Sequence, residues 1–274
     1  MTNTKRALFP GGENRARWLL IGVMIIVARP LTGEVRLNVL EGRLVVDGVY
    51  VNGHGPYRFL VDTGTNVNLI EPDLARRIGV NATFQVDLVS AAGRAVTPGA
   101  DGNEVVFDSL KADGQRFLLS RLDAVHDLLP GVRGVLGQQF LSRFDYFLDF
   151  KHQRLEFGKQ ERSGMRVRFT ALNGRAAVST NLGDLILDSG VTRLVLFGVK
   201  SGGGNSARGL MKTLAGSQVL GTASRNLVIE SRNVWTGSAV TMLSRTEPGV
   251  GGLLPASFFK TIYVCNSEGY VIFE

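Results

Sequence analysis

Two short stretches carry a carboxylate at the point where an apolar run turns. Asp62-Thr63-Gly64-Thr65 follows Phe59-Leu60-Val61 and leads into Val67-Asn68-Leu69-Ile70. Asp188-Ser189-Gly190 follows Leu185-Ile186-Leu187 and leads into Leu194-Val195-Leu196. A carboxylate at the tip of a buried strand is costly to desolvate unless it is hydrogen-bonded or does chemistry. One Asp-Thr/Ser-Gly alone is an ordinary turn. Two of them, each after an apolar strand and each followed downstream by a Gly-apolar-Leu run (Gly134-Val135-Leu136, Gly252-Leu253-Leu254), point to a site where two copies meet. Two carboxylates held in contact cannot both ionise easily, so they share a proton. The ionised member can take a proton from water while the other donates to a carbonyl oxygen.

The elements that must position these turns repeat as well. In the first half, 34–39 alternates as a strand, and 43–51 reads as a strand kinked at Asp47-Gly48. Gly53-His54-Gly55-Pro56 reads as a turn, and Tyr57 to Val61 as the strand feeding Asp62. A short helix is expected with Pro72 in its first turn and Gly79 closing it. Residues 84–89 and 95–97 read as a mobile hairpin with the small-residue tip Ser90-Ala91-Ala92-Gly93, and 103–110 and 115–122 as two more strands. The run 132–141 predicts a buried strand entering a short helix, and 144–150 with 154–157 a closing hairpin. The polar stretch 158–164 makes the best linker. Beyond it, 166–169, 176–180 and 183–187 repeat the strands before Asp188. Residues 250–259, 262–265 and 269–273 echo the end of the first half. The fold class is all-β, two duplicated lobes with short helices, divided as 34–160 and 161–274.

Composition bounds the rest. A chain of 274 residues, 44% hydrophobic and 20% charged, can build two lobes with a real core. The net charge of +7 is scattered beyond the N-terminus, so a solvated basic surface is expected and no nucleic-acid partner. The single cysteine, Cys265, cannot form an internal disulfide. His54, His126 and His152 lie at no ligand spacing, and neither a metal nor another cofactor is expected. The glycine-rich stretch from Lys200 to Ser206 lacks the Lys-Ser/Thr ending of a phosphate loop and reads as surface. Lys5, Arg6, Arg15 and Arg17 precede the apolar run 18–28, the pattern of a secretory signal within residues 1–30. That run is shorter than the about 20 residues of a membrane span. The expectation is an exported protein, possible tethering to a membrane through residues 18–28, and a monomer.

The chain from about residue 34 to 274 resembles the two-lobed, pepsin-like aspartic proteases, through Asp62-Thr63-Gly64-Thr65, Asp188-Ser189-Gly190, Gly134-Val135-Leu136-Gly137 and Gly252-Leu253-Leu254-Pro255. Its size and lack of disulfides are similar to bacterial or retroviral-type members. The resemblance implies an aspartic endopeptidase acting on polypeptides, with Asp62 and Asp188 catalytic. Thr63, Gly64, Thr65, Ser189 and Gly190 would support them, Thr63 and Ser189 by hydrogen bonds across the lobe junction. The tip Ser90, Ala91, Ala92 and Gly93 would be the flap over the cleft. Two departures stand out: Val191 replaces the usual hydroxyl after the second glycine, and no tyrosine lies between Phe84 and Gly102. They leave open the alternative of a catalytically weak or inactive peptide-binding module on the same fold. A phosphotransfer enzyme with an Asp nucleophile does not fit, because the second Asp and the Lys of such sites are absent.

Overall fold

The computed structural model describes residues 34–90, 93–200, 209–213, 216–243 and 247–274. The first half opens with β1 (Glu34–Arg36), β2 (Asn38–Leu40), β3 (Arg43–Val51) and β4 (His54–Val61). After the Asp62 turn come β5 (Asn68–Ile70), helix α1 (Pro72–Arg77), β6 (Phe84–Ser90), β7 (Gly93–Phe107) and β8 (Leu110–Leu119). Helix α2 (Asp123–His126), β9 (Gly134–Leu136), helix α3 (Gln138–Leu141), β10 (Tyr146–Asp149) and β11 (Arg154–Phe157) complete it. The second half runs β12 (Met165–Leu172), β13 (Arg175–Thr180), β14 (Gly183–Asp188) and β15 (Val195–Phe197). It continues with β16 (Gly209–Thr213), β17 (Gly216–Ile229), β18 (Arg232–Met242) and β19 (Gly252–Pro255). A single 3₁₀ turn (Ala256–Phe258), β20 (Thr261–Cys265) and β21 (Tyr270–Phe273) end the chain.

The halves have the same topology. β9 pairs parallel with β4 and antiparallel with β5, and β5 pairs parallel with β8. β19 likewise pairs parallel with β14 and antiparallel with β15, and β15 pairs parallel with β18. Under both lobes β10 and β20 pair antiparallel, Tyr146 opposite Val264 and Asp149 opposite Thr261, so the lobes share one continuous sheet. Side chains alternate between two apolar layers, as period two requires. Phe59 and Val61 face the large core with Phe117, Phe140 and Phe157, whereas Leu60 packs with Val45, Leu69 and Val135. In the second lobe Leu185 and Leu187 join the large core, and Ile186 packs with Val195 and Val240. Both Asp-bearing strands are therefore covered on both faces, which holds their tips rigid. Each such buried Leu, Ile or Phe contributes about 1.5–3 kcal/mol.

Three expectations need correction. The first turn is Asn52-Gly53, both left-handed at φ 50° and 76°, and His54-Gly55-Pro56 belongs to β4. Asn-Gly is the pair a two-residue hairpin turn favours. The turn between β7 and β8 is Asp108-Ser109, with Asp108 at φ 54°; β8 ends at Leu119, and Leu122 caps α2 instead of extending a strand. The alternating stretch 34–39 is two strands: β1 pairs with β11 and β2 with β3, separated at the buried Leu37. Between the Asp188 turn and Gly252 the chain forms further strands, as the duplication implies, chiefly the long β17–β18 hairpin; its polar residues alternate with buried Ala223, Leu227 and Ile229. The Asp47-Gly48 kink is present as an irregularity in the β3–β4 register between Val46 and Val49. The N-terminal segment and residues 201–208 lie outside the described residues. Among the described residues no helix is long and apolar enough to cross a membrane.

Candidate active site

The turn at Asp62 exists because β9 wedges between β4 and β5. Phe59, Leu60 and Val61 pair with Gly134, Val135 and Leu136 on one side of β9, while Leu69 pairs with Val135 on the other. The chain between the separated strands must loop over the top, and the Asp62 amide donates to the Leu136 carbonyl at 3.0 Å to fix the start of the loop. A Cβ on Gly134 would collide with the Phe59 ring and the Leu69 carbonyl. One on Gly252, at the matching point of β19, would collide with the Val195 carbonyl. That close approach is the physical content of the Gly-apolar-Leu pattern.

The two loops are fastened to each other beneath the carboxylates. The Thr63 hydroxyl donates to the Leu187 carbonyl at 2.8 Å and accepts from the Ser189 amide at 3.0 Å. The Ser189 hydroxyl donates to the Val61 carbonyl at 2.8 Å and accepts from the Thr63 amide at 3.0 Å. Thr63 and Ser189 are each 1% exposed, so these four bonds form away from competing water. Side chains from the first lobe brace its own loop further. Gln138 donates to the Thr63 carbonyl at 2.9 Å, and Asn68 accepts from the Gly137 amide at 3.0 Å.

Above this layer the carboxylates of Asp62 and Asp188 meet, within hydrogen-bonding reach of each other. Asp62 accepts from the Gly64 amide at 2.9 Å; Asp188 accepts from the Gly190 amide at 2.7 Å and the Val191 amide at 3.2 Å. Each glycine lies against the other loop's carboxylate. A Cβ on Gly190 would stand 2.9 Å from the Asp62 carboxyl carbon, and one on Gly64 would overlap the Asp188 carboxylate. Asp188 is 5% exposed and Asp62 half-buried. Burial, and then the neighbouring charge of Asp62, pushes the Asp188 carboxyl well above the usual carboxylate range, against the Gly190 and Val191 amides. Burial also raises Asp62, opposed by the Gly64 amide, the Asp188 carboxyl, the Thr65 amide and the charge of Arg175. Such a pair holds one proton between two oxygens over a range where separate carboxylates would both be ionised.

The departures take physical form here. Val191 offers Asp188 its amide and no hydroxyl. Thr65 turns its methyl toward Gly137, and between these described residues no hydrogen bond runs from the Thr65 hydroxyl to Asp62. Of the expected flap, β6 and β7 form the hairpin, with Ser90 paired to Gly93 and Val86 to Thr97. Ala91 and Ala92 lie outside the described residues. The histidines sit elsewhere: His54 opens β4, His126 contacts Glu71 and His152 contacts Asp149. Among the described residues no group of three or more His, Cys, Asp or Glu could hold a metal ion. Sequence reasoning missed Gln138, Arg43, Arg175 and Glu247. Arg43 donates to the Gly190 carbonyl at 3.0 Å and Arg175 to the Gly64 carbonyl at 3.4 Å. A signal for the arginines was present: Leu40-Glu41-Gly42-Arg43 and Leu172-Asn173-Gly174-Arg175 are copies within the duplication.

Residues 48–140, which include the Asp62 loop and β9, match the family model described as aspartyl protease. No curated protein matches the chain. The aspartic proteinase from Irpex lacteus is similar in structure, with a TM-score of 0.52 at 15% identity over 88% of this chain and 96% of that one. A retropepsin-like aspartic protease from Rickettsia conorii aligns at a TM-score of 0.34 and 19% identity, over 47% of this chain and 92% of that one. The chain thus has the two-lobed fold of the aspartic proteases, its first lobe matched by the aspartyl protease family and its second built on the same topology around Asp188.

Proposed function

We propose that the protein is an aspartic endopeptidase that hydrolyses peptide bonds with a water molecule activated between Asp62 and Asp188. The observation that carries this reading is the opposition of two carboxylates, one from each lobe, Asp188 buried and Asp62 half-buried, each against the other loop's glycine. A water bridging them would lose a proton to the ionised carboxylate as it adds to the scissile carbonyl. The protonated carboxyl would donate to the carbonyl oxygen, so the tetrahedral intermediate forms without a metal. The amides of Gly64, Gly190 and Val191 hold the carboxylates in register for both transfers. The β6–β7 hairpin would close over the bound polypeptide as the flap. We further propose export, with residues 18–28 as signal or tether, and action as a monomer.

The test is cleavage of an unbiased peptide mixture across the acid range, with and without a statine-type inhibitor, whose hydroxyl occupies the place of the attacking water. Cleavage abolished by the inhibitor supports the proposal. Peptide binding without cleavage at any pH would favour the binding module that Val191 motivates.

A further inference from the structure

Two arginines cross the lobe junction in a nearly symmetric way. Each opens a strand, β3 or β13, directly after a tight turn of left-handed residues: Glu41 and Gly42 at φ 50° and 72°, Asn173 and Gly174 at φ 51° and 79°. Arg43 Nε donates to the Gly190 carbonyl at 3.0 Å, and Arg175 Nη1 donates to the Gly64 carbonyl at 3.4 Å. Each lobe therefore lends a cation to the glycine of the other lobe's Asp loop. The symmetry ends there. Arg43 is partly exposed, and its Nη1 turns back to the Glu41 carbonyl at 3.1 Å. Arg175 is 8% exposed, its Nε directed at the Leu172 carbonyl at 3.4 Å and its Nη2 paired with Glu247 Oε2 at 2.5 Å.

We infer that Arg175, held in place by Glu247 and bonded to the Asp62 loop, is a positioning residue that biases the division of labour in the pair: it favours Asp62 as the member that ionises and Asp188 as the member that keeps the proton. This rests on the reading of Asp62 and Asp188 as a proton-sharing unit. A guanidinium stays charged at every working pH. Buried beside the Asp62 loop, its charge is screened less than that of the partly exposed Arg43, which reaches the Asp188 loop from β3. The groups that bear on Asp62 from the elements packed around it are Asp188 on β14, Arg175 on β13 and, behind Arg175, Glu247 on the loop before β19. Arg43 on β3 stands on the Asp188 side. Burial raises Asp62, and the charge of Arg175 adds to the Gly64 amide, the Asp188 carboxyl and the Thr65 amide in opposing it, whereas Asp188 is raised by burial and by Asp62 itself. In the forward step, Asp62 would take the proton from water while Asp188 delivers its own to the carbonyl oxygen. Glu247 moderates the cation and holds its fork toward Gly64.

The experiment reads the carboxyl directly. In an Asp188→Asn background, Asp62 titrates without its partner and can be followed by carboxyl chemical shift in aspartate-labelled protein. Arg175→Gln should move this titration to higher pH, Arg175→Lys should restore it at least in part, and Glu247→Gln should move it to lower pH, because the cation is then uncompensated. In the otherwise unaltered protein, the acid limb of kcat/KM should follow the same signs. Glu247→Gln leaves Arg175 in place, so the question stands even where the arginine variants fail to fold. Titrations unmoved by Glu247→Gln, or moved upward by it, would overturn the inference. A protein that cleaves no peptide would instead overturn the proposed function, while the carboxyl titration still decides the role of Arg175.

Discussion

Thr63→Val removes one buried hydroxyl from the junction while keeping the branched shape of the side chain. The hydroxyl it deletes makes two bonds, to the Leu187 carbonyl at 2.8 Å and from the Ser189 amide at 3.0 Å. Neither partner can turn elsewhere, since both belong to the backbone of the opposite lobe, and Thr63 is 1% exposed. Leaving a buried donor or acceptor unsatisfied costs about 1–3 kcal/mol, so the substitution should destabilise by about 2–6 kcal/mol. That is a large share of a typical folding free energy of about 5–15 kcal/mol. The assay is urea unfolding followed both by circular dichroism and by the fluorescence of Trp235, which stacks on Phe258 in the second lobe with ring centroids 5.1 Å apart. Two probes are needed because a two-lobed chain need not unfold in one step. Ser189→Ala orphans the Thr63 amide and the Val61 carbonyl in the same way. The two changes should cost less together than the sum of each alone, because once one loop loosens, water reaches the groups of the other. Stability of Thr63→Val within about 0.5 kcal/mol of the parent, the range of an inconsequential surface change, would refute the claim that this hydroxyl binds the loops together.

Val191→Thr adds a hydroxyl to the residue whose amide already donates to Asp188, and a further donor favours the ionised form. The alkaline limb of the pH–rate profile should move to lower pH, and a limb that stays put or rises would count against this role of position 191. Thr65→Val should leave that limb in place, because the Thr65 hydroxyl is not bonded to Asp62; a clear displacement would contradict the geometry. Asp188→Asn should change how stability depends on pH. The folded Asp188 carboxyl keeps its proton well above the unfolded value of about 3.9, so stability is fully present below that value and falls as pH rises through the folded one. The variant lacks this loss, so its stability relative to the parent should be greatest at neutral pH. A difference that is flat from about pH 3 to about pH 8 would contradict it. Gly64→Ala puts a methyl group into the Asp188 carboxylate and should abolish peptide cleavage with the fold retained, whereas an active variant would deny the close approach of the loops.

The parts legible in the sequence were those whose physics is local and duplicated. An apolar run ending in Asp-Thr-Gly or Asp-Ser-Gly announces a buried strand and a forced turn. A glycine opening a short apolar strand announces a close approach, and both recur in each half. The Thr63 and Ser189 bonds came through likeness to a family, since no local rule says what a hydroxyl reaches across a junction. The side chains that cross that junction as charges were not legible. Nothing local sets Arg43 and Arg175 apart from the other scattered basic residues, and only the topology, which brings the start of β13 beside the Asp62 loop, makes Arg175 interior. The bounds of the β17–β18 hairpin were not legible for a related reason. Its Ser, Thr and Asn residues lower the contrast between its two faces, and what docks it onto the lobe is the pairing of β18 with β15, far away in the chain. The first residues misled in a simpler way. The alternation of 34–39 is real, but β1 and β2 serve different sheets.

The central claim is that Asp62 and Asp188 act as one unit. The direct measurement is kcat/KM for a single peptide substrate in Asp62→Asn, Asp188→Asn and the double variant, each checked for folding by circular dichroism. Half of a proton-sharing pair can neither activate water nor protonate the carbonyl in concert, so each single variant should be about as inactive as the double. Either single variant that retains a substantial fraction of the parent's kcat/KM would show that the opposed carboxylates do not work as the catalytic pair.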